Sequence, residues 1–225
     1  FIVRTTNSAY GITYRWTNGN DAVLVPAEGL DQAFNIVEAG TNRVQVWRYP
    51  GRNECRACHT EQAGFSLSFN TRQMNKAWSE GGSASNQIAV LQGAGYFTSA
   101  VSNINALPAF VAATDATHSL ESRVRSYLAV NCVSCHQPGA ASQGAFDVRP
   151  TVPTDQAGLI HGALVNNLGE ASSRVVVPGD LLRSMLLLRV AGSAPRMPPL
   201  ATRELDQGAI DLLEAWIGEI GRAHV

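Results

Sequence analysis

The first fifty residues alternate apolar and polar positions, which is the pattern of β-strands. The segment AYGITYRW carries its large side chains on one face of an extended chain, at Tyr10, Ile12, Tyr14 and Trp16. The following TNGN predicts a hairpin turn at Asn18-Gly19, after which DAVLV returns. A second pair of segments, FNIVEAG and NRVQVWRY, turns near Gly40. We therefore predict a small antiparallel β element over residues 1–50, packed against the segment that follows.

Beyond residue 50, apolar positions recur at helical spacing in two similar segments. One has its apolar stripe at Leu205, Ala209, Leu212, Leu213 and Trp216, and the other at Leu120, Val124, Tyr127 and Leu128. Each stripe follows a short linker and a dipeptide that ends in proline, Leu107-Pro108 in one case and Met197-Pro198 in the other. The pattern predicts a mainly α fold in which one helical unit occurs twice, over residues 51–131 and 132–225.

The composition argues against two classes of partner. The chain has 225 residues, of which 45% are hydrophobic and 16% charged, with a formal net charge of −1. This balance favours neither nucleic acid nor an anionic membrane surface as a partner. No apolar run approaches the roughly 18 residues that a membrane-spanning helix needs, so we predict no span. The opening FIVRTTNSAY lacks the features of a signal peptide, which indicates a mature chain or a piece of a longer one.

All four cysteines lie in two copies of one pattern, CRACH at 55–59 and CVSCH at 132–136. Structural zinc usually draws its Cys pairs from segments closer together in sequence, and a dithiol redox motif gains nothing from the adjacent histidine. Covalent attachment of c-type haem uses every residue of the pattern, because two thiols add to the vinyl groups and the imidazole binds iron. The sequence therefore predicts two covalently bound haem c groups. Their attachment residues are Cys55, Cys58, Cys132 and Cys135, and their first axial ligands are His59 and His136.

The two motifs and the helical segments around them resemble class I cytochromes c in tandem. More narrowly, YPGRNECRACHT, Asn86-Gln87, SLESRVRSYLAVNCVSCH and RMPPL are similar to a family of two-haem domains of bacterial exported proteins. Such domains occur beside quinoprotein dehydrogenase or carbohydrate-binding domains. The resemblance covers about residues 51–220. It implies two tandem cytochrome c-like helical modules and a role in electron transfer.

The sixth iron ligands are expected to differ between the two haems. Met197 in RMPPL is predicted to bind the second iron, since the prolines behind it stiffen the loop and class I cytochromes c use a methionine followed by proline. Met185 lies among leucines, and we interpret it as a core residue. In the first repeat, Leu107 occupies the position of Met197, and leucine cannot bind iron.

Few residues could replace the missing ligand of the first haem. We favour Met74, and the alternatives are Lys76, a tyrosine such as Tyr14, His118 or an open site. Lys76 would have to lose its proton in order to bind. His118 falls in the linker before a predicted helix, where a surface position next to the helix cap is an equal interpretation.

These expectations separate three functions. Two saturated haem irons predict a relay for electrons, which is the function we favour, whereas an open first iron predicts a two-haem peroxidase or oxidase, or a sensor that binds a ligand without turnover. We expect an electron carrier rather than an enzyme. Because bacterial c-type haem is attached outside the cytoplasmic membrane, we expect a periplasmic or extracellular location. The expected partners are redox proteins or an upstream redox domain of the same chain.

Overall fold

The fold is mixed α/β. The structure, a computed structural model, describes residues 1–17, 19–67, 69–79, 84–192, 195–200 and 203–222. Within these ranges 25% of residues are helical and 19% lie in strands, arranged in four small antiparallel sheets. The prediction of a mainly α chain built from two cytochrome c-like helical modules is therefore wrong. The physical reason is that alternating apolar residues make strands of much of the first fifty positions, while long irregular segments replace helices in both repeats.

Every described sheet is a two-stranded antiparallel hairpin. The pairs are β1 (Ile2–Arg4) with β2 (Ala9–Gly11), β3 (Tyr14–Trp16) with β4 (Ala22–Leu24), β5 (Leu30–Glu38) with β6 (Thr41–Tyr49), and β7 (Ala77–Trp78) with β8 (Ser85–Asn86). The two pairings predicted from the alternation, β3 with β4 and β5 with β6, are present. Ala39 and Gly40 both have positive φ, as the tight turn between β5 and β6 requires. Asn18 of the other predicted turn lies outside the described residues.

Six α-helices lie in the described ranges. They are α1 (Arg52–Cys55), α2 (Thr71–Met74), α3 (Gln87–Gly93), α4 (Leu120–Asn131), α5 (Met185–Ala191) and α6 (Gln207–Arg222), and a 3₁₀ turn covers Ile104–Ala106. The two predicted apolar stripes fall on α4 and α6, the longest helices described, although Leu205 precedes α6 and is exposed. Among the helices described, none combines the length and the apolar composition needed to cross a bilayer.

The hydrophobic core lies in the second half of the chain, where α4 packs against α6. Its buried members are Val124, Leu128, Val148, Ala157, Leu159, Val175, Val176, Leu186, Leu187, Ile210, Leu212, Leu213, Trp216 and Ile217. In the described part of residues 1–112, the buried apolar side chains are only Ala9, Val25 and Ile88. The core therefore supports the second Cys-x-x-Cys-His motif much more than the first.

Helix α4 leads directly into the second motif. The hydroxyl of Ser119 caps its first turn by accepting a hydrogen bond from the Ser122 N–H at 3.2 Å. Val124 and Leu128 then lie one turn apart and are both fully buried. The helix ends at Asn131, and the next residue, Cys132, is its C-cap and donates its N–H to the Leu128 carbonyl at 2.8 Å. The motif is thus anchored to the core through the backbone of α4.

Candidate functional site

The first motif forms a single helical turn at the end of α1. The Cys55 carbonyl accepts hydrogen bonds from the Cys58 N–H at 3.4 Å and from the His59 N–H at 3.0 Å. The Nδ1–H of His59 donates to the Phe65 carbonyl at 2.6 Å. Because this bond fixes the tautomer, Nε2 presents its lone pair as the metal-binding atom. The two thiols and the imidazole thus lie on one turn, as covalent haem attachment requires.

The second motif has the same backbone pattern. The Cys132 carbonyl accepts from the Cys135 N–H at 3.1 Å and from the His136 N–H at 2.8 Å. His136 Nδ1 lies 3.0 Å from Ser142 Oγ, and the imidazole stacks on the Phe146 ring at 4.0 Å between centroids. Burial lowers the pKa of His136 to about 4, so the imidazole is neutral at neutral pH. A neutral imidazole is the form that binds a metal.

A cavity of about 500 Å³ lies beside the second motif. Three residues of the motif, Cys132, Cys135 and His136, line it together with Met197. The rest of its wall is largely apolar and includes Phe146, Leu164, Val175, Met185, Leu186 and Val190. The volume is within the range of about 300–1,000 Å³ that ligand and cofactor sites occupy. A haem macrocycle is a large and mostly apolar group, so the residues present fit a haem attached here.

The two methionines of this wall differ in their surroundings. Met197 is 36% exposed, and its N–H donates to the Arg189 carbonyl of α5 at 2.9 Å. Met185 is 3% exposed within α5, among the leucines of the core. Met197 is therefore a partly exposed thioether on a loop at the cavity, whereas Met185 is packed into the core beside the cavity.

The two motifs contact one another. Cys135 Sγ lies 3.4 Å from the Ala57 carbonyl oxygen, and the Gln137 side chain donates to the Gln62 carbonyl at 3.4 Å. A hydrogen bond from the Cys58 thiol to the Cys135 sulfur lowers the pKa of Cys135 to about 6 and raises that of Cys58. The second cysteines of the two motifs are thus neighbours. No signal in the sequence showed which residues of the two motifs would meet.

The N-terminal hairpins pack against the first motif. Gly11 at the end of β2 lies so close to Cys55 that an added Cβ would overlap the Cys55 sulfur and lie 2.6 Å from its Cβ. The Thr13 hydroxyl donates to the Pro50 carbonyl at 2.9 Å, and the Arg52 N–H donates to the Ala27 carbonyl at 2.9 Å. Sequence analysis missed the role of Gly11, for which a small residue beside Tyr10 in a strand was the only available signal.

Met74, the favoured sixth ligand of the first haem, ends α2 and is half-buried. The neighbouring Asn75 side chain donates to the Leu107 carbonyl at 2.6 Å, and the Phe110 N–H donates to the Arg72 carbonyl at 2.9 Å. The loop that corresponds to the Met197 loop of the second repeat is therefore bonded to the segment that carries Met74. This neighbourhood distinguishes Met74 from Tyr14 and His118, and its half-buried side chain distinguishes it from Lys76, which lies on the same segment but is exposed.

The rival ligands lie on the surface. Lys76 is exposed in the segment after α2. Tyr14 is 45% exposed and packs edge-to-face on Phe1 with ring centroids 5.8 Å apart. The side chain of His118 is 51% exposed and lies 3.8 Å from the Asp115 carboxylate, immediately before the Ser119 cap of α4.

The zinc alternative has no matching cluster of donors, since no group of three or more His, Cys, Asp or Glu side chains in the described ranges is arranged to hold a metal ion. In comparisons of the chain with protein-family models, curated proteins and solved structures, no match was found. The resemblance to two-haem cytochrome domains and the boundaries at residues 50 and 131 therefore stay predictions.

Proposed function

We propose that this chain is a two-haem c-type cytochrome domain that transfers electrons, with one haem at each Cys-x-x-Cys-His motif. One observation carries the proposal: a single, mostly apolar cavity is lined by the thiols of Cys132 and Cys135, the imidazole of His136 and the thioether of Met197. A c-type haem with His/Met ligation uses these same groups, since two thiols add to the haem vinyl groups and a neutral imidazole and a thioether bind the iron.

At the second site each side chain has a distinct role. Cys132 and Cys135 would hold the haem covalently, and His136, oriented by Ser142 and Phe146, would bind the iron. A haem supplies reversible one-electron chemistry, and a thioether ligand such as Met197 raises its reduction potential. The largely apolar wall would limit the contact of a bound haem with water, and solvent access is one of the factors that set its potential.

At the first site Cys55 and Cys58 would hold the haem and His59 would bind its iron. We propose Met74 as the second axial ligand, since its segment is hydrogen-bonded to the Leu107 loop, which replaces the methionine loop of the other repeat. The contact of Ala57 with Cys135 supports close approach of the two sites. Neighbouring haem sites suit a relay, because an electron can then pass between them within one chain.

The location and partners follow from this chemistry. Bacterial c-type haem is attached outside the cytoplasmic membrane, so we infer a periplasmic or extracellular protein. Its partners would be redox proteins or a redox domain upstream in the same chain.

The test is the visible spectrum of the reduced protein before and after addition of carbon monoxide, together with the haem content per chain. We expect two covalently bound haems and no carbon monoxide binding, because both irons have a sixth ligand. Absence of covalent haem would refute the proposal. A shift of half the haem would show an open first iron, and peroxide turnover would then identify a two-haem enzyme instead of a carrier.

Single methionine variants assign the ligands. Met197→Leu and Met74→Leu should each open one haem, so that about half the total haem binds carbon monoxide. Met185→Leu is the matched control, since it changes a methionine of the same cavity wall to a residue of similar volume. If Met74→Leu behaves like the control, then Lys76→Ala, Tyr14→Phe and His118→Ala are the variants that identify the true ligand.

A further inference from the structure

Arg189 on the last turn of α5 is bonded to the loop that carries Met197. Its carbonyl accepts the Met197 N–H at 2.9 Å. Its guanidinium donates from Nη1 to the Pro195 carbonyl and from Nη2 to the Asn166 carbonyl, both at 3.2 Å. These four residues all line the cavity beside the second motif. One side chain therefore joins two separate loops of the cavity to the helix beneath them.

The position of the Met197 thioether depends on this backbone attachment. Because Met197 is 36% exposed, packing alone does not hold its side chain. The guanidinium of Arg189 is planar and donates in a fixed fork, so it fixes two carbonyls at a defined separation. A lysine at the same place offers one compact ammonium and could not hold both carbonyls in the same geometry.

A second arginine, Arg196, bonds the same loop to the end of α5. Arg196 Nε donates to the Gly192 carbonyl at 2.6 Å, just after α5 ends. The loop is thus bonded to the end of α5 on one side and to Arg189 on the other. The guanidinium of Arg189 connects it to the cavity wall at Asn166.

We propose that Arg189 is a positioning residue that holds the Met197 loop against the cavity and so keeps the thioether in reach of the second haem iron. The inference rests on the proposed function of the second site. It assigns no direct contact between Arg189 and the iron, since the side chain acts through the backbone carbonyls of Pro195 and Asn166.

The variants Arg189→Gln and Arg189→Lys, made in the full haem-containing chain, test this role. The readouts are the sulfur-to-iron charge-transfer band of the oxidised protein and the carbon monoxide affinity of the reduced protein. When the loop is released, a larger fraction of the iron lacks its methionine, so we expect the band to weaken and carbon monoxide to bind about tenfold more tightly than in the parent. Arg189→Lys should fall between Arg189→Gln and the parent protein.

Arg183→Gln is the matched control. Arg183 precedes α5 and pairs with Asp180 at 3.3 Å, and its side chain is exposed. We expect this variant to keep the parental band and affinity. If Arg189→Gln and Arg189→Lys both fold and keep the parental band, or if Arg183→Gln weakens it equally, the inference is wrong.

The outcomes separate this inference from the proposed function. A parent protein without covalent haem, or without the charge-transfer band, overturns the proposal for the second site and the inference with it. A parent protein with haem and the band, together with unaffected Arg189 variants, overturns only the positioning role.

Discussion

The two Cys-x-x-Cys-His motifs have the same backbone hydrogen bonds but very different surroundings. In each, the carbonyl of the first cysteine accepts from the second cysteine and from the histidine. The second motif extends a twelve-residue helix, α4, that is packed into the core. The first motif begins at the last residue of the four-residue helix α1, and no side chain of α1 is buried. A five-residue motif can thus set its own turn, while the rest of the chain decides how firmly that turn is held.

This difference predicts where each site obtains its stability. Around the second motif, burial of apolar side chains supplies most of the free energy of folding. Around the first motif, the described contacts include those of Cys55 with Gly11 of β2, of Glu54 with Arg48 of β6, and of Ala57 with Cys135 of the second motif. We therefore expect the first region to depend more strongly on its bound haem, because a ligand that binds only the folded state stabilises that state.

Truncation of the core is the largest expected effect. Trp216→Ala removes a fully buried side chain between α4 and α6 and should lower the free energy of unfolding by about 3–5 kcal/mol. Ile88→Ala in the first region should cost less, about 2 kcal/mol, because few buried neighbours surround it. Denaturant unfolding of the haem-containing protein measures both.

The control is Trp216→Phe, which keeps most of the buried volume. The indole Nε1 of Trp216 is buried without a hydrogen-bond partner in the described part of the chain, so the phenyl ring loses no polar contact there. We expect this variant to cost well under half of what Trp216→Ala costs. If Ile88→Ala destabilises the protein as much as Trp216→Ala does, then burial of apolar side chains stabilises both regions equally and the expected difference between them is wrong.

The second expected effect concerns Gly11, which lies against Cys55. Gly11→Ala places a methyl group where the Cys55 side chain already lies, and such overpacking costs about 1–3 kcal/mol. Because the strain falls on an attachment cysteine, we expect the haem content to fall from two towards one per chain while the second site remains loaded. Mass spectrometry of peptides that carry haem distinguishes the two motifs.

Gly93→Ala is the matched control, since Gly93 ends α3 with nothing within 4 Å of the added Cβ. It should keep both haems. Equal loss of haem from both motifs in Gly11→Ala would mean that the hairpin supports the whole domain and not the first site alone.

The sequence was informative where the determinant was local. The hairpin at Gly40 and the buried spacing of Val124 and Leu128 were predictable, because each depends on residues within a few positions of one another. The small number of buried apolar side chains in the first region was not predictable. The sequence shows which residues are apolar, but not that most of them would find no other apolar side chain to pack against. The contacts of Gly11 with Cys55 and of Arg189 with Asn166 join distant positions, for which a single sequence carries no signal.

The smallest expected effect comes from the acidic residue beside each motif. Glu54 accepts from the Gly51 N–H at 2.6 Å and from Arg48 at 2.9 Å, and these bonds lower its pKa. The hydrogen bonds from Arg149 likewise lower the pKa of Asp147. A carboxylate whose native pKa lies below its unfolded value, near 4, stabilises the protein above that value, and the stabilisation is lost as the pH falls through the native pKa.

Glu54→Gln and Asp147→Asn each replace a hydrogen-bonded carboxylate by a neutral amide, so they compare how much such a carboxylate stabilises each region. Both variants should be less stable than the parent at pH 7, and both differences should shrink as the pH falls below about 4. We expect the larger difference for Glu54→Gln, because Glu54 holds the first turn of α1 where no core compensates, whereas Val148 beside Asp147 is fully buried. Thermal unfolding across this pH range measures both variants. A larger loss in Asp147→Asn would show that the segment covering His136, and not the short helix at Cys55, is the more weakly held of the two.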